Sequence, residues 1–200
     1  YIDVKDGTDV HQYPADIIGC SRQEAKAHTF KPLYGGTTGT EAQQRYYRAF
    51  KEKYEGVSIW HDKLQREAVK TKQITLPSGR QYAFPSARWT EWGTATNRTA
   101  ICNYPVQGFA TADLLPTALV RLSKMMRVRK LNSVICNTVH DSIVLDVHPD
   151  EKDACIKLLE YAMLSLPTES VNRYGIEYDM PVGIELKIGK NWLDTEVVNL

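Results

Sequence analysis

Apolar positions in the first part of the chain recur with the period of an α-helix. Over residues 40–72 they form two stretches that Gly56 separates, and their members are Tyr46, Tyr47, Phe50, Tyr54, Ile59, Trp60, Leu64 and Val69. Around residues 74–84 the pattern changes to two short strands joined by a Pro-Ser-Gly turn, which predicts a β-hairpin. We therefore expect a helical half that gives way to a mixed helix and strand half near residue 73.

Apolar residues in the second half predict two helices around a hairpin. The first helix has a buried face made of Leu114, Leu115, Ala118, Leu119, Leu122, Met125 and Met126. Apolar and β-branched residues over 133–147 predict two strands that turn at His140 and Asp141, and residues 150–166 predict an amphipathic helix. Residues 182–188 alternate like a half-buried strand. Together with the hairpin, this strand makes a small antiparallel sheet backed by helices, an α+β fold.

Composition excludes several classes of protein. A chain of 200 residues with 42% hydrophobic residues is folded rather than disordered, and its net charge of +1 gives no overall attraction to nucleic acid or membrane. Any such site must be local. No apolar run reaches the length of a membrane span, and no signal-sequence pattern is present. The cysteines form no metal-binding pair, which favours reduced thiols in the cytoplasm, and they are Cys20, Cys102, Cys136 and Cys155.

The first candidate site lies on a predicted helix. Ser21 and Glu24 have the spacing of a capping box, so the helix begins there. Arg22, Lys26 and Phe30 recur every four residues and share one face, which spans roughly 12 Å at 1.5 Å per residue. Such a face is either a solvated surface with the ring packed into a core, or a site where two cations hold a polyphosphate and the ring packs on a sugar or base. The stripe alone leaves both interpretations open.

Asp141 is the second candidate, a carboxylate among the apolar residues of the predicted hairpin. A buried carboxylate is costly unless it is paired, hydrogen-bonded or bound to a metal, and the surrounding residues favour burial here. Asp141 is therefore either a metal ligand or an acid at a structural turn.

The basic run 121–130, in which five of ten residues are Arg or Lys, also has two interpretations. It either complements a helix C-terminus or contacts a DNA backbone.

Four short motifs occur in order along the chain. Asp-Val-His begins at Asp9, and Arg-x-x-x-Lys-x-x-x-Phe-x-x-x-Tyr-Gly begins at Arg22. Asn-Tyr-Pro-Val-Gln-Gly begins at Asn103, and Val-His-Asp ends at Asp141. In order and internal spacing they resemble the C-terminal part of family A DNA polymerases, the bacterial DNA polymerase I family. The wording of the second and third motifs is most similar to phage members, and the resemblance covers nearly the whole chain.

The resemblance implies that the second motif binds the incoming deoxynucleotide (dNTP). Arg22 and Lys26 would bind its triphosphate, with His11 assisting at the phosphates. Phe30 would pack on the sugar of the nucleotide, and Tyr34 would lie at the template side of the insertion site, in contact with DNA.

The remaining motifs are implied to bind primer–template DNA and metal. Asn103 and Gln107 would contact the primer–template near its minor groove, and His140 would sit by the primer terminus. Asp141 would be the catalytic residue and a ligand of Mg²⁺, which prefers oxygen ligands. A site with two such ions activates the primer 3′-hydroxyl and stabilises the leaving pyrophosphate.

The resemblance also implies a domain organisation and reveals two departures. Residues 1–84 would form a fingers subdomain with the nucleotide-binding helix at 21–35, and residues 85–200 would form the C-terminal part of the palm. Ser142 follows the metal-binding Asp where many members have Glu. Nothing upstream of His11 matches the family motif that carries the other metal-binding Asp.

We therefore expect the C-terminal part of a template-directed DNA polymerase that uses Mg²⁺. An N-terminal segment would complete it with the missing Asp, the thumb, the rest of the palm and, in some members, an exonuclease. Such a protein needs no membrane and acts in the cytoplasm, that of the host cell if the gene belongs to a phage. The alternative is a non-catalytic nucleic-acid-binding or assembly module derived from a polymerase.

Overall fold

The computed structural model describes residues 9, 11–36, 38–178 and 182–198, and within them the chain forms two compact units, one ending at Gly108 and the other beginning at Phe109. The first unit consists of α1 (Gln12–Ile18), α2 (Arg22–Leu33), α3 (Glu41–Lys53), α4 (Glu55–Thr71), β1 (Gln73–Thr75), β2 (Gln81–Ala83) and α5 (Arg98–Gly108). The second consists of a π-helical segment (Phe109–Leu114), α6 (Leu115–Val128), β3 (Val134–Val139), β4 (Ser142–Asp146), a 3₁₀ turn (Pro149–Glu151), α7 (Lys152–Leu164), α8 (Leu166–Tyr174), β5 (Lys187–Gly189) and β6 (Thr195–Val197). The predicted α+β class is confirmed, because helices pack with small antiparallel sheets.

Local sequence fixes where the helices of the first unit begin and end. The Ser21 hydroxyl accepts a hydrogen bond from the Glu24 amide at 3.3 Å, and the Glu24 carboxylate accepts one from the Ser21 amide at 2.9 Å. The predicted capping box is therefore confirmed, and its hydrogen bonds from Ser21 lower the pKa of Glu24. The expected interruption at Gly56 is misplaced. Tyr54, at φ −114° and ψ 58°, leaves the helical region and separates α3 from α4. Gly56 instead lies in the first turn of α4. The backbone amides of a first turn have no hydrogen-bond partner within the helix, so a glycine there interrupts no intrahelical hydrogen bond.

Two apolar clusters hold the first unit together. The aromatic stripe of α3, which consists of Tyr46, Tyr47 and Phe50, is buried against Tyr13 and Ile17 of α1, so its predicted packing role is confirmed. The second cluster joins α4, the β1–β2 hairpin and α5, and its buried members are Leu64, Ala68, Ile74, Phe84, Ala87, Ala95 and Ile101. These two clusters fix α2 and α5 in the unit that carries most of the predicted site residues.

The second unit packs the β3–β4 hairpin against helices. Its buried members come from α6 and α7, and they are Leu122, Met126, Leu158 and Ala162. Ile135, Ile143 and Leu145 of the hairpin pack on this cluster, so one face of the hairpin is covered. The strands pair antiparallel with a register shift between Ile135 and Asn137, which is a β-bulge at Cys136. The predicted hairpin and its turn at His140 and Asp141 are thus present.

A single carboxylate ties the start of this hairpin to the 3₁₀ turn that precedes α7. Glu151 accepts hydrogen bonds from the Asn132 amide at 2.9 Å and the Ser133 amide at 2.8 Å. It also accepts from the Ser133 hydroxyl at 2.6 Å. These bonds stabilise the charged form and lower the pKa of Glu151 to about 2.

The last predicted strand differs from expectation. It covers only Lys187–Gly189 and pairs with β6 (Thr195–Val197), so the prediction of one sheet shared with the β3–β4 hairpin is wrong. The turn between β5 and β6 explains the pairing. The side chain of Asn191 accepts hydrogen bonds from the Leu193 amide at 2.9 Å and the Asp194 amide at 2.8 Å, which reverses the chain locally.

Two further findings concern organisation. Within the described ranges, no helix is both long enough and apolar enough to cross a membrane. The division into fingers and palm subdomains, with its boundary after residue 84, stays a prediction. It divides the chain by function, whereas the two compact units divide it by packing.

Candidate functional site

The predicted phosphate-binding residues occupy the exposed face of α2. Arg22 and Lys26 are exposed, and 42% of the Phe30 surface is accessible, whereas Ala25 and Thr29 are buried on the side that packs into the unit. The interpretation of Phe30 as a core residue is therefore wrong. Lys26 makes no hydrogen bond or ion pair with any described residue. Two cations and an aromatic ring thus remain accessible on one helix face.

His11 joins this face from the N-terminal end of α1. Its Nδ1 lies 3.0 Å from the hydroxyl oxygen of Thr29, and that hydroxyl donates to the Ala25 carbonyl at 3.1 Å. The His11 and Phe30 ring centroids are 5.8 Å apart, and Phe30 and Tyr34 stack at 6.4 Å with planes 12° apart. His11, Phe30 and Tyr34 therefore form a continuous row of rings beside the two cations.

Asp9 also contributes to this face of α2. It belongs to the first sequence motif, but we assigned it no role from the sequence. Its carboxylate forms an ion pair with the Arg22 guanidinium, in which Arg22 Nη2 donates to Asp9 Oδ1 at 3.2 Å and Nε donates to Oδ2. The His11 amide also donates to Asp9 Oδ1 at 2.9 Å. The side-chain hydrogen bond with Arg22 is the main reason that the pKa of Asp9 is lowered and that of Arg22 is raised. Asp9 and Arg22 lie thirteen residues apart in the sequence, and the sequence alone did not indicate this pairing.

The C-terminal end of α2 is fixed against α4 and α5. The Leu33 carbonyl accepts a hydrogen bond from His61 Nε2 at 2.9 Å. Gly35, at φ +79°, ends the helix so close to α5 that a Cβ would lie 3.3 Å from both Arg98 Nε and Cys102 Sγ. Burial lowers the pKa of His61, which favours the neutral ring, with the proton on the nitrogen that donates. These contacts hold Tyr34, which lies between Leu33 and Gly35, in a defined position.

Two predicted DNA-binding residues lie on α5, and one of them contacts α2 directly. Gln107 Nε2 donates to the Tyr34 hydroxyl at 2.7 Å, which joins residues far apart in sequence. Asn103 lies one helical turn before Gln107, and its Oδ1 is buried without a hydrogen bond from any described residue. Such an unpaired buried acceptor is uncommon. Gly108 comes directly after Gln107. A larger residue does not fit at this position, because the Tyr82 hydroxyl occupies the place that a Cβ would need.

The predicted metal ligand stands at the tip of the β3–β4 hairpin in the second unit. Asp141 is exposed, so the expected burial is wrong, because the two-residue turn projects it beyond the packed face of the hairpin. His140 adopts a positive φ of 54°, which the turn requires. The Ser142 hydroxyl donates to the Val139 carbonyl at 2.9 Å and closes the turn, which gives this residue a structural role in the place where many family members have Glu. The described residues contain no group of three or more His, Cys, Asp or Glu able to hold a metal ion.

The basic run at the end of α6 divides into one paired residue and several exposed ones. Arg121 forms an ion pair with Glu169 of α8 and donates to the Tyr161 hydroxyl at 2.9 Å, so it joins three helices. The exposed members are Lys124, Arg127, Arg129 and Lys130. Whether these complement the helix C-terminus or contact DNA stays an open prediction.

The sequence and the fold of the chain are similar to those of known proteins. A family model described as DNA polymerase family A matches residues 3–194. The chain belongs to DNA polymerase family A. The predicted family is thereby confirmed.

Relatives in this family come from bacteria and from a phage. DNA polymerase I of Lactococcus lactis subsp. lactis (strain IL1403) is 28% identical over 214 residues, which cover 96% of this chain and 23% of the relative. DNA polymerase I of Geobacillus stearothermophilus is 26% identical over 93% of this chain and 21% of its own length. The DNA polymerase of Bacillus phage SP01 is 26% identical over 80% of this chain and 17% of its own length. The chain thus spans less than a quarter of the length of these relatives.

A solved structure shares the fold. It is the polymerase domain of Pol1 from M. smegmatis in complex with DNA primer–template and dNTP, which superposes with a TM-score of 0.68 at 20% identity. The match covers 80% of this chain and 32% of that one. At this identity the likeness shows the fold alone, and it agrees with the α+β architecture.

Proposed function

We propose that this chain is the C-terminal part of a template-directed DNA polymerase that adds deoxynucleotides to a primer 3′ end. The observation that carries the proposal is the accessible face of α2, where Arg22 and Lys26 lie beside the row of rings formed by His11, Phe30 and Tyr34. Membership of DNA polymerase family A supports it. Because the chain spans only part of its relatives, the activity, the substrates and the partners of the whole protein are all part of this proposal.

The cations of α2 suit a nucleotide triphosphate. An arginine carries five N–H donors, and Asp9 takes those of Nε and one of Nη2, which leaves the Nη1 edge of Arg22 available to phosphate oxygens. Lys26 adds a mobile point charge one turn further along the helix. Both charges would neutralise the negative charge that phosphoryl transfer develops on the phosphates. Phe30 would pack on the sugar.

Primer–template DNA is the proposed second substrate. Tyr34 and Gln107 present a hydrogen-bonded pair, and Asn103 lies one turn before Gln107 on the same helix, so that we propose that both amides contact the primer–template near its minor groove. His140, exposed at the hairpin tip, would lie by the primer terminus. The compartment that we propose is the cytoplasm, that of the host cell if the gene is a phage gene.

Mg²⁺ is the proposed cofactor, and the described residues fit it only in part. Asp141 offers an exposed carboxylate of the kind that Mg²⁺ binds, but the described residues contain no group of three or more His, Cys, Asp or Glu that could hold the ion. We propose that an N-terminal segment supplies the other Asp, together with the thumb and the rest of the palm. Two bound ions would activate the primer 3′-hydroxyl and stabilise the leaving pyrophosphate.

Primer extension tests the proposal. The chain is assayed alone and with a co-expressed N-terminal polymerase segment, and we expect extension only in the second case. Asp141→Asn in that complex should lower the rate about a thousandfold, because metal ligation contributes several kcal/mol to transition-state stabilisation. Asp146→Asn, which changes another exposed acid on the same hairpin, serves as the matched control and should leave the rate within about twofold.

The alternative is a non-catalytic nucleic-acid-binding or assembly module derived from a polymerase. It predicts DNA binding without extension in either assay. Extension that survives Asp141→Asn would contradict the proposed role of this residue.

A further inference from the structure

We infer that Thr29 fixes His11 as an Nδ1–H donor, so that His11 can hold a nucleotide phosphate through Nε2 only as the imidazolium cation. Thr29 is thus a positioning residue that makes nucleotide binding depend on a proton. The part of this inference that concerns phosphate rests on the proposed function, whereas the part that concerns the ring of His11 does not.

The hydrogen bonds around Thr29 fix the direction of each donation. A threonine hydroxyl has one hydrogen to give. The Ala25 carbonyl, 3.1 Å away, can only accept, so both contacts of this hydroxyl are hydrogen bonds only when its hydrogen is directed to the carbonyl. The hydroxyl oxygen therefore accepts from its other neighbour, Nδ1 of His11 at 3.0 Å. Because Thr29 is buried, water is poorly placed to replace this arrangement.

The consequence falls on the opposite nitrogen of the ring. A neutral imidazole carries one N–H, and here that hydrogen is on Nδ1, so Nε2 has only a lone pair. A lone pair and a phosphate oxygen are both acceptors and repel each other. Nε2 becomes a donor only when the ring takes up a second proton, which also adds a positive charge beside Arg22 and Lys26. Phosphate binding by His11 therefore requires proton uptake.

The charged groups near His11 are compatible with this protonation. Asp9 accepts from the His11 amide at 2.9 Å and is paired with Arg22, while Lys26 shares the same face of α2. Several further charged or titratable groups of α1, α2 and α3 contact other partners. These contacts are Asp16 with Gln12, Glu24 with Ser21, His28 with Gln43 and Tyr47, Lys31 over Tyr47, and Lys53 over Tyr13 and Tyr54.

Nitrogen NMR of the full chain tests the state of the ring without any nucleotide. In protein labelled with ¹⁵N-histidine, the neutral ring of His11, assigned by its absence in His11→Gln, should carry its hydrogen on Nδ1 at alkaline pH. Thr29→Ser keeps the hydroxyl and should keep this tautomer, whereas Thr29→Val should reduce it. An Nε2–H tautomer in the native chain would overturn the inference.

Nucleotide binding at several pH values tests the consequence, with a single deoxynucleoside triphosphate as the probe. Affinity in the native chain should fall as the pH rises, by up to about tenfold for each pH unit, because the neutral ring offers the phosphate no donor at Nε2. The terminal phosphate of the nucleotide titrates near neutral pH as well. His11→Gln retains that component, so the difference between the two proteins isolates His11. Thr29→Val should flatten the profile, and Thr29→Ser should restore it.

The possible results distinguish a failure of this inference from a failure of the proposed function. Binding whose pH profile matches that of His11→Gln would overturn the inference and leave the proposed function intact. Absence of binding at any pH would count against the proposed function and against phosphate binding by His11, while the NMR result would still decide the role of Thr29.

Discussion

The two candidate regions, one in each compact unit, are held in different ways. The face of α2 is fixed at its start by the Ser21–Glu24 capping box, in its middle by the contact of His11 with Thr29, and at its end by the Tyr34–Gln107 hydrogen bond. Asp141 stands exposed at a hairpin tip and makes no side-chain hydrogen bond to any described residue. The face of α2 is therefore organised by several contacts within its own unit, whereas the position of Asp141 depends on the geometry of one turn.

The largest effect that we expect within this comparison comes from Lys26→Ala. Loss of a hydrogen bond to a charged phosphate costs about 1.5–3 kcal/mol, so nucleotide affinity should weaken roughly 10- to 150-fold. Binding of duplex DNA should change far less. Titrations with nucleotide and with duplex measure the two effects, and Lys63→Ala, an exposed lysine of α4, is the matched control. Equal losses in both titrations would contradict a phosphate role for Lys26.

At the hairpin tip, folding and chemistry should separate between neighbouring residues. Ser142→Ala removes the bond that closes the turn and should lower the free energy of unfolding by about 1 kcal/mol. Asp141→Asn should change it by less than about 0.5 kcal/mol, because the side chain is exposed. Denaturant unfolding of both variants provides the measurement. A large loss of stability in Asp141→Asn would mean that this acid is structural.

A smaller effect is expected at the contact between α2 and α5. Tyr34→Phe removes the acceptor of the Gln107 amide, which should lower the free energy of unfolding by roughly 0.5–1 kcal/mol. Because the Gln107 amide then loses the acceptor that orients it toward Tyr34, template binding should weaken as well. A double-mutant cycle with Gln107→Ala measures the coupling. Additive effects of the two substitutions would show that this hydrogen bond does not position the pair.

The smallest effect that we expect concerns the pH dependence of stability, through Glu151. The pKa of Glu151 is lowered from 4.5 to about 2 in the folded chain, so its contribution is present above pH 4.5 and is lost as the pH falls toward 2. Glu151→Gln should therefore be less stable than the native chain at neutral pH, and the difference should shrink in acid. Acid unfolding followed by circular dichroism measures it, with Glu196→Gln as an exposed control. A difference that persists at pH 2 would contradict this assignment.

Local patterns in the sequence predicted local structure well. The capping box of α2, the Pro-Ser-Gly hairpin and the aromatic stripe of α3 each depend on residues close together in the chain, and each is present. The pairing of β5 with β6 was missed, because it depends on a turn stabilised by the side chain of Asn191. Periodicity describes which face is apolar but does not specify the partner of a strand.

Contacts between distant segments account for what the sequence did not indicate about the site. The hydrogen bonds of His11 with Thr29 and of Tyr34 with Gln107 join residues on different helices. The burial of Asp141 was expected from its apolar neighbours, but a two-residue turn places a residue outside the packed face whatever its neighbours are. The motifs predict which residues form the candidate regions, and the tertiary contacts determine how these residues are held.

The close approach of Tyr82 to Gly108 affects how a mutational screen of this chain should be interpreted. Any side chain at position 108 would displace the Tyr82 ring, so substitutions there would score as damaging as those at the neighbouring Gln107. The two positions would look alike in a screen for activity, although one is constrained by space and the other by hydrogen bonding. A library that also varies position 82 would separate them, since a smaller residue there relieves only the steric constraint.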